Sequence, residues 1–264
     1  MSTAWVTSFS NDLYQATGKE LIRSYEETNS CGKLFIAPER VPSLTRTKPE
    51  ATGLLADPAD STDLLTWIRL NSSIIHKEFG GSWIGPCQCP NPNDSKDKRH
   101  KPSCPNSWFC KHAVRWFRKI IALKSLLSTS YTYSRIVWLD SDVVFNKQVT
   151  EDLVTSWFSD NDVFYFKGPK RKVWETGILG LNVPEGVNLI NKVFDYYMSG
   201  EFLKHPRWDD GYIIQQVALS IKTTKKLDLA TDASGHADVI PHSPLKDYME
   251  HHKGTHGRGL GIMK

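Results

Sequence analysis

The run RIVWLDSDVVF, residues 135–145, sets four consecutive apolar residues directly against two carboxylates. Ile136, Val137, Trp138 and Leu139 belong in a buried strand, and Asp140 and Asp142 follow with a single serine between them. A buried carboxylate without a partner is expensive, and a second one two residues away makes ionisation of the first harder. Whatever fold the chain adopts must bring positive charge to the end of that strand.

The rest of the chain supplies a frame for such a site. AWVTSF (residues 4–9) reads as a first strand, and QATGKELIRSYEET carries Leu21, Ile22 and Tyr25 at helical spacing. KLFIAPE is a second short strand closed by Pro38, and residues 42–60 are a Pro-, Thr- and Asp-rich loop. STDLLTWIRLNSSIIHKEF opens on a good N-cap and has a helical apolar face. SWFCKHAVRWFRKIIALKSLL is an amphipathic helix with Arg115, Arg118 and Lys119 among its apolar positions. After the strand at 135–139 come a helix near 150–158, the strand DVFYFKG, the glycine-punctuated apolar stretch ETGILGLNV, and the helices VNLINKVFDYYMSG and WDDGYIIQQVALS. Beyond residue 236 the pattern is irregular and rich in His, Gly and Pro. Strands alternating with helices predict an α/β sandwich around a mainly parallel sheet.

A length of 264 residues suits one large domain or two small ones. We read residues 1–264 as one domain carrying a Cys/Pro/Asn-rich insert at about 85–110. The net charge of +4 tolerates an anionic ligand, but no concentrated basic face points to nucleic acid. The nine tryptophans suit stacking on sugars, although packing is the commoner use. The opening MSTAWVTSFS has neither a basic nor an apolar leader region, and no stretch approaches the ~20 apolar residues that span a bilayer. The expectation is a soluble, non-secreted chain. Cys87, Cys89, Cys104 and Cys110 have the spacing C-x-C-x14-C-x5-C, unlike the paired spacing of common zinc knuckles. Free thiols, structural zinc and a disulfide all remain open for them.

In a strand, successive side chains point to opposite faces, but just past its end two carboxylates can converge on one cation. Taken alone, the D-x-D is read equally well as a helix cap or loop salt bridge, or as a divalent metal site with a phosphate on its far side. Open α/β sheets bind ligands at the carboxyl ends of their strands, where this pair falls.

Set in order along the chain, these motifs resemble the GT-A fold glycosyltransferases, which use metal-bound nucleotide sugars. VWLDSDVVFNKQVTEDL resembles their D-x-D segment, and VTSFSNDLYQATGKELIRS their first strand and loop. The resemblance places Thr7, Phe9 and Tyr14 around the nucleobase, Ser8 among the donor contacts, and Arg115 and Lys119 on the basic helix near the diphosphate. It also places Asp140 and Ser141 at the donor, with Asp140 on either metal or ribose. ETGILGLN stands where such enzymes carry a sugar-contacting loop, which implies donor contacts from Glu175, Thr176 and Gly177. HHKG resembles a late H-x-x-G motif, making His251 the third metal ligand beside Asp140 and Asp142, with His252 as fallback. Two carboxylates and an imidazole suit Mn²⁺ better than Mg²⁺. One related family continues to Lys-Pro-Trp where this chain reads GTHGRGLG, so Lys253, Gly254 and Arg258 take the phosphate contact or it is absent. Trp208-Asp209-Asp210 resembles the helix start where inverting members hold their base. That implies Asp210 as base with Asp209 beside it; in a retaining enzyme both would bind sugar hydroxyls.

The nearest comparison within that fold is the small soluble type of bacteria and large algal viruses, including a chlorovirus enzyme transferring xylose to a capsid glycan. It implies a UDP-sugar donor, with UDP-xylose a candidate, a glycan or glycoprotein acceptor, and work in the cytoplasm (the host's, if viral). Two rivals stand beside it. LDSDVV also fits the D-x-D-x-[TV] signature of haloacid-dehalogenase-like phosphatases, with Asp140 as nucleophile and Asp142 as acid–base, although more than a hundred residues precede it here. A binding module using the Cys/Lys insert is the other, and that insert lacks interleaved aromatics.

Overall fold

A strand buried on both faces reads as a near-continuous apolar run, and Ile136–Leu139 in the fourth strand in chain order is such a run. In the computed structural model, which describes residues 2–41, 44, 52–72, 75, 108–129, 133–230 and 239–252, β1 spans Thr3–Ser10, β2 Lys33–Glu39, β3 Thr52–Leu54 and β4 Arg135–Leu139. These four run parallel. β6 (Val163–Phe166), β7 (Glu175–Asn182) and β8 (Lys226–Asp228) complete a seven-stranded sheet in the order β3-β2-β1-β4-β7-β6-β8, in which β7 alone runs against the rest. A separate antiparallel ribbon pairs β5 (Val143–Phe145) with β9 (Met249–His251).

Helices cover both faces, giving the expected αβα sandwich. α2 (Thr62–Leu70), α3 (Trp108–Leu127), α5 (Glu185–Met198) and α6 (Asp210–Ser220) pack on one side. α1 (Lys19–Glu27), α4 (Glu151–Phe158) and the β5–β9 ribbon pack on the other. Strand alternation sorts the core: Ala4, Val6, Ile136 and Trp138 face α3, whereas Trp5, Phe9, Val137 and Leu139 face the opposite layer. On the α3 side Trp67 packs on Phe117 with ring centroids 4.6 Å apart.

Several sequence expectations change in detail. Helical structure begins earlier than expected, with a short turn over Asn11–Leu13 and a wider π-helical turn over Tyr14–Gly18 leading into the helix at Lys19. β2 runs through Pro38 to Glu39 instead of closing at the proline, and α2 ends at Leu70. ETGILGLN is a strand and not a loop: as β7 it pairs with both β4 and β6, and only its Glu175 end reaches the site. The loop came from the resemblance alone, and Gly180 within the strand is there for space. A Cβ at Gly180 would lie 2.0 Å from Phe164 Cε1. Cys87, Cys89 and Cys104 lie outside the described residues, so the zinc, thiol and disulfide readings do as well; Cys110 is buried on α3. Among the described residues no helix is long and apolar enough to cross a membrane.

The Phe164 ring is hemmed in by Phe158 at 4.8 Å and by Phe166 and Trp157 beyond it. Gly180→Ala should therefore cost about 1–3 kcal/mol, as overpacking does in a rigid core. Urea unfolding should show a lower midpoint at unchanged slope; an unaltered midpoint would mean that the ring can step aside.

Candidate active site

Alternation along β4 turns Asp140 to the same face as Trp138, toward α3, and there the required positive charge is found. Lys119, 7% exposed on α3, places Nζ 3.2 Å from Asp140 Oδ1 and in direct contact with Asp210 Oδ2. The same ammonium donates to the backbone oxygen of Thr176 at 2.8 Å. Three partners account for the three donors of a lysine ammonium. Trp138 Nε1 donates to Asp140 Oδ1 at 2.8 Å, and Thr176 Oγ1 donates to Asp210 Oδ2 at 2.9 Å. Burial pulls the Lys119 pKa down, but Asp140 and Asp210 outweigh it and hold the ammonium above the usual lysine range. An uncompensated buried charge in such a cluster costs about 3–5 kcal/mol.

Past Asp140 the chain turns, with Val143 N donating to Asp140 O at 3.1 Å, and enters β5. Thr17 Oγ1 donates to Ser141 Oγ at 3.2 Å, which ties this turn to the π-helical segment. Because Val143 pairs with His251, the ribbon delivers that imidazole to Asp142, with Nε2 3.0 Å from Oδ1. His252 N donates to Asp142 O at 2.9 Å, but its ring turns to Glu250 Oε2, so His251 and not His252 joins the acids. One ligand atom each from Asp140, Asp142 and His251 lies within 4.8 Å of the others. Gly177 makes the room: a Cβ there would stand 2.3 Å from His251 Cε1. Two carboxylates and one imidazole, crowded and largely buried, fit a divalent cation that accepts mixed O and N ligands.

A cavity of about 650 Å³ opens onto these groups. Of the residues expected at a donor, Ser8, Arg115, Lys119, Asp140, Ser141, Glu175 and Thr176 line it, as do Asp142 and Asp210. Thr7 and Phe9 do not reach it. They are fully buried on the other face of β1, where Phe9 stacks on Tyr14 at 5.6 Å, and Ser8 and Ser10 take the cavity side. Gly177 lies behind the wall against His251, and Lys253, Gly254 and Arg258 fall outside the described residues. Glu39, Arg118, Trp116 and Trp138 also line the cavity and were not expected there from sequence, although Arg118 stood out as a cation on the helix of Lys119. Glu39 and Arg118 form a buried ion pair, and Ser8 Oγ stands 3.0 Å from Glu39 Oε1 as a donor. A carboxylate at the end of β2 and a cation next to Lys119 were the available signals for that pair.

A second cavity of about 340 Å³ adjoins the first, and Trp116, Glu175, Thr176 and Asp210 line both. Glu175 is held by Arg171 Nη2 at 3.0 Å and by Gly177 N at 3.1 Å. Asp209, in the smaller cavity, is the N-cap of α6: it accepts from Tyr212 N at 3.3 Å and from Arg207 Nε at 2.8 Å. Burial pushes the Asp209 pKa up against the pull of Arg207. Asp210, the first residue of α6, is 8% exposed, and both bonds described above fall on its Oδ2.

The phosphatase alternative finds no support here. The D-x-D closes the fourth strand of the chain, β4 has an antiparallel neighbour in β7, and Asp209 is engaged as a helix cap. No family model matches the chain, and no curated protein does. Solved structures match in fold. The apo form of mouse xyloside xylosyltransferase 1 gives a TM-score of 0.50 at 10% identity, over 87% of this chain and 85% of that one. An active-site mutant of LgtC gives 0.51 at 13% identity, over 95% and 87%. The apo structure of the bifunctional glycosyltransferase WbbM gives 0.50 at 14% identity, over 96% of this chain and 46% of that one. At such identities the likeness is one of architecture, and the architecture shared with these proteins is the GT-A αβα sandwich.

Proposed function

We propose that this chain is a metal-dependent glycosyltransferase, moving a sugar from a nucleotide-sugar donor to a hydroxyl of a glycan. The observation that carries the proposal is the wall between the two cavities. Asp210 stands on it, and Asp140, Asp142 and His251 gather on the side of the larger cavity. The larger cavity takes the donor. UDP is the nucleotide favoured by resemblance, xylose is a candidate sugar, and Mn²⁺ is the cation the ligand set favours.

A divalent cation held by Asp140, Asp142 and His251 supplies positive charge against the leaving diphosphate. With the three donors of Lys119 engaged, that residue holds the acids in place, and Arg115, exposed on the wall of the larger cavity, contributes positive charge toward the diphosphate. Asp210 faces the acceptor as general base. Its Oδ2 is held by Lys119 and Thr176, so Oδ1 receives the proton of the attacking hydroxyl. The new bond forms between that oxygen and the anomeric carbon, the bond from that carbon to the diphosphate oxygen breaks, and the configuration inverts. Asp209 is bound through both oxygens and positions the helix start that carries Asp210.

Asp142→Asn should abolish Mn²⁺-dependent binding of UDP in calorimetry while leaving the circular dichroism spectrum unchanged. If EDTA leaves the wild-type affinity for UDP as it was, the metal reading fails.

Asp210→Asn keeps an acceptor for Lys119 but removes the basicity, so sugar transfer should fall by ~10²-fold or more. Affinity for UDP with Mn²⁺ should change little. NMR of the product should show an anomeric configuration opposite to that of the donor. A retained configuration would instead assign Asp209 and Asp210 to sugar hydroxyls.

A further inference from the structure

Asp210 has two sides, and the smaller cavity is the less explained of them. Its volume of about 340 Å³ falls within the range of small-molecule sites. Its charges cancel locally: Arg171 pairs with Glu175 at 3.0 Å, Arg207 with Asp209 at 2.8 Å, and Asp210 with Lys119 from behind. A phosphate or uronate entering here would meet three carboxylates whose cations are already committed, and among the described lining residues only Lys172 adds an exposed cation at the rim. A neutral polyol meets a better match. Each Arg–carboxylate pair sets N–H donors beside carboxylate acceptors, the pattern that a vicinal diol satisfies by donating to one and accepting from the other.

The remaining wall is aromatic. Trp116 on α3 is half-buried and packs against Phe109 at 6.0 Å and His112 at 6.1 Å, and the Arg207 guanidinium lies 5.6 Å from the Phe109 ring. The indole is thus held in place at the point where the two cavities meet. An apolar face of a sugar ring can lie on such a plane while its hydroxyls reach the ion pairs.

Resting on the glycosyltransferase reading above, we infer that the smaller cavity is the acceptor subsite and takes an uncharged sugar ring, stacked on Trp116 with vicinal hydroxyls between Arg207 and Asp209. The terminal acceptor unit is then a neutral hexose, deoxyhexose or pentose, and not an acidic or phosphorylated one.

Saturation-transfer NMR on the full chain tests this, using the methyl glycosides of xylose, glucose, galactose, mannose, rhamnose and fucose against methyl glucuronide and glucose 6-phosphate. Each is measured with Mn²⁺ and saturating UDP present. At least one neutral glycoside should give signal with UDP bound, the two acidic probes should give less, and Trp116→Ala should weaken the neutral probe's binding by about tenfold. Trp116→Phe should restore most of it, and Arg207→Gln should weaken it independently, which covers the case in which Trp116→Ala fails to fold. Preference for the acidic probes, displacement of the neutral probe by UDP, or indifference to both the Trp116 and Arg207 substitutions would overturn the inference. UDP binding is followed in the same samples. Loss of UDP binding in the wild type would count against the glycosyltransferase reading itself, whereas intact UDP binding with no Trp116-dependent saccharide signal would count against the acceptor subsite alone.

Discussion

Lys119 sits where four elements must arrive together. Its stem comes from α3, and its ammonium meets Asp140 past β4, the Thr176 carbonyl on β7 and Asp210 at the head of α6. None of these contacts is local in sequence, so the site's geometry is a product of the assembled sandwich. One ammonium is shared between two carboxylates, and removing it would leave charge in a buried pocket without a partner. Thr176 closes the cluster by donating from its hydroxyl to Asp210 while its carbonyl accepts from Lys119. The cavities on either side of Asp210 keep their shape because this cluster does.

Much of this architecture could be read from the chain. The apolar run into D-x-D announced a buried strand with a charged end, and the alternation of strands and helices announced the sandwich. Asp140 and Asp142 could be placed at the strand's end, whereas His251 was reached only through the resemblance of HHKG to a late H-x-x-G motif. The rest depended on pairing. Which face of β1 meets the cavity is settled by what packs on each side, so Thr7 and Phe9 turned inward and Ser8 and Ser10 faced the open space. The resemblance put a loop at ETGILGLN, and only the pairing with β4 and β6 shows it as a strand with a glycine under the cross-strand Phe164.

Lys119 was expected near the diphosphate, but its part in anchoring two acids was hidden in another way, as was Trp116. On an amphipathic helix a lysine near the core edge ordinarily reaches for solvent, and its capture by two acids more than twenty residues away along the chain is visible only in three dimensions. Trp116 looked like one more core aromatic among nine tryptophans. Its position between Arg115 and Phe117 gave no sign that its ring would border two cavities, although a large aromatic flanked by cations on a helix leading to D-x-D is a pattern worth reading as a surface that touches ligand.

The β5–β9 ribbon sets a condition on when the chain can become competent. The acids come from the middle of the polypeptide, whereas the imidazole arrives with residues 249–251, and the two halves are stitched across a gap of 104 residues by Asn146 and Glu250. Closing so long a loop is slow compared with forming a helix. A nascent chain on the ribosome can form β1, β2 and β4 and carry both aspartates long before His251 is made. The cluster of Asp140, Asp142 and His251 is thus incomplete until residue 251 has been added and β9 has paired with β5. The ribbon acts as a completion check: the pairing of β5 with β9 also brings the imidazole to the acids.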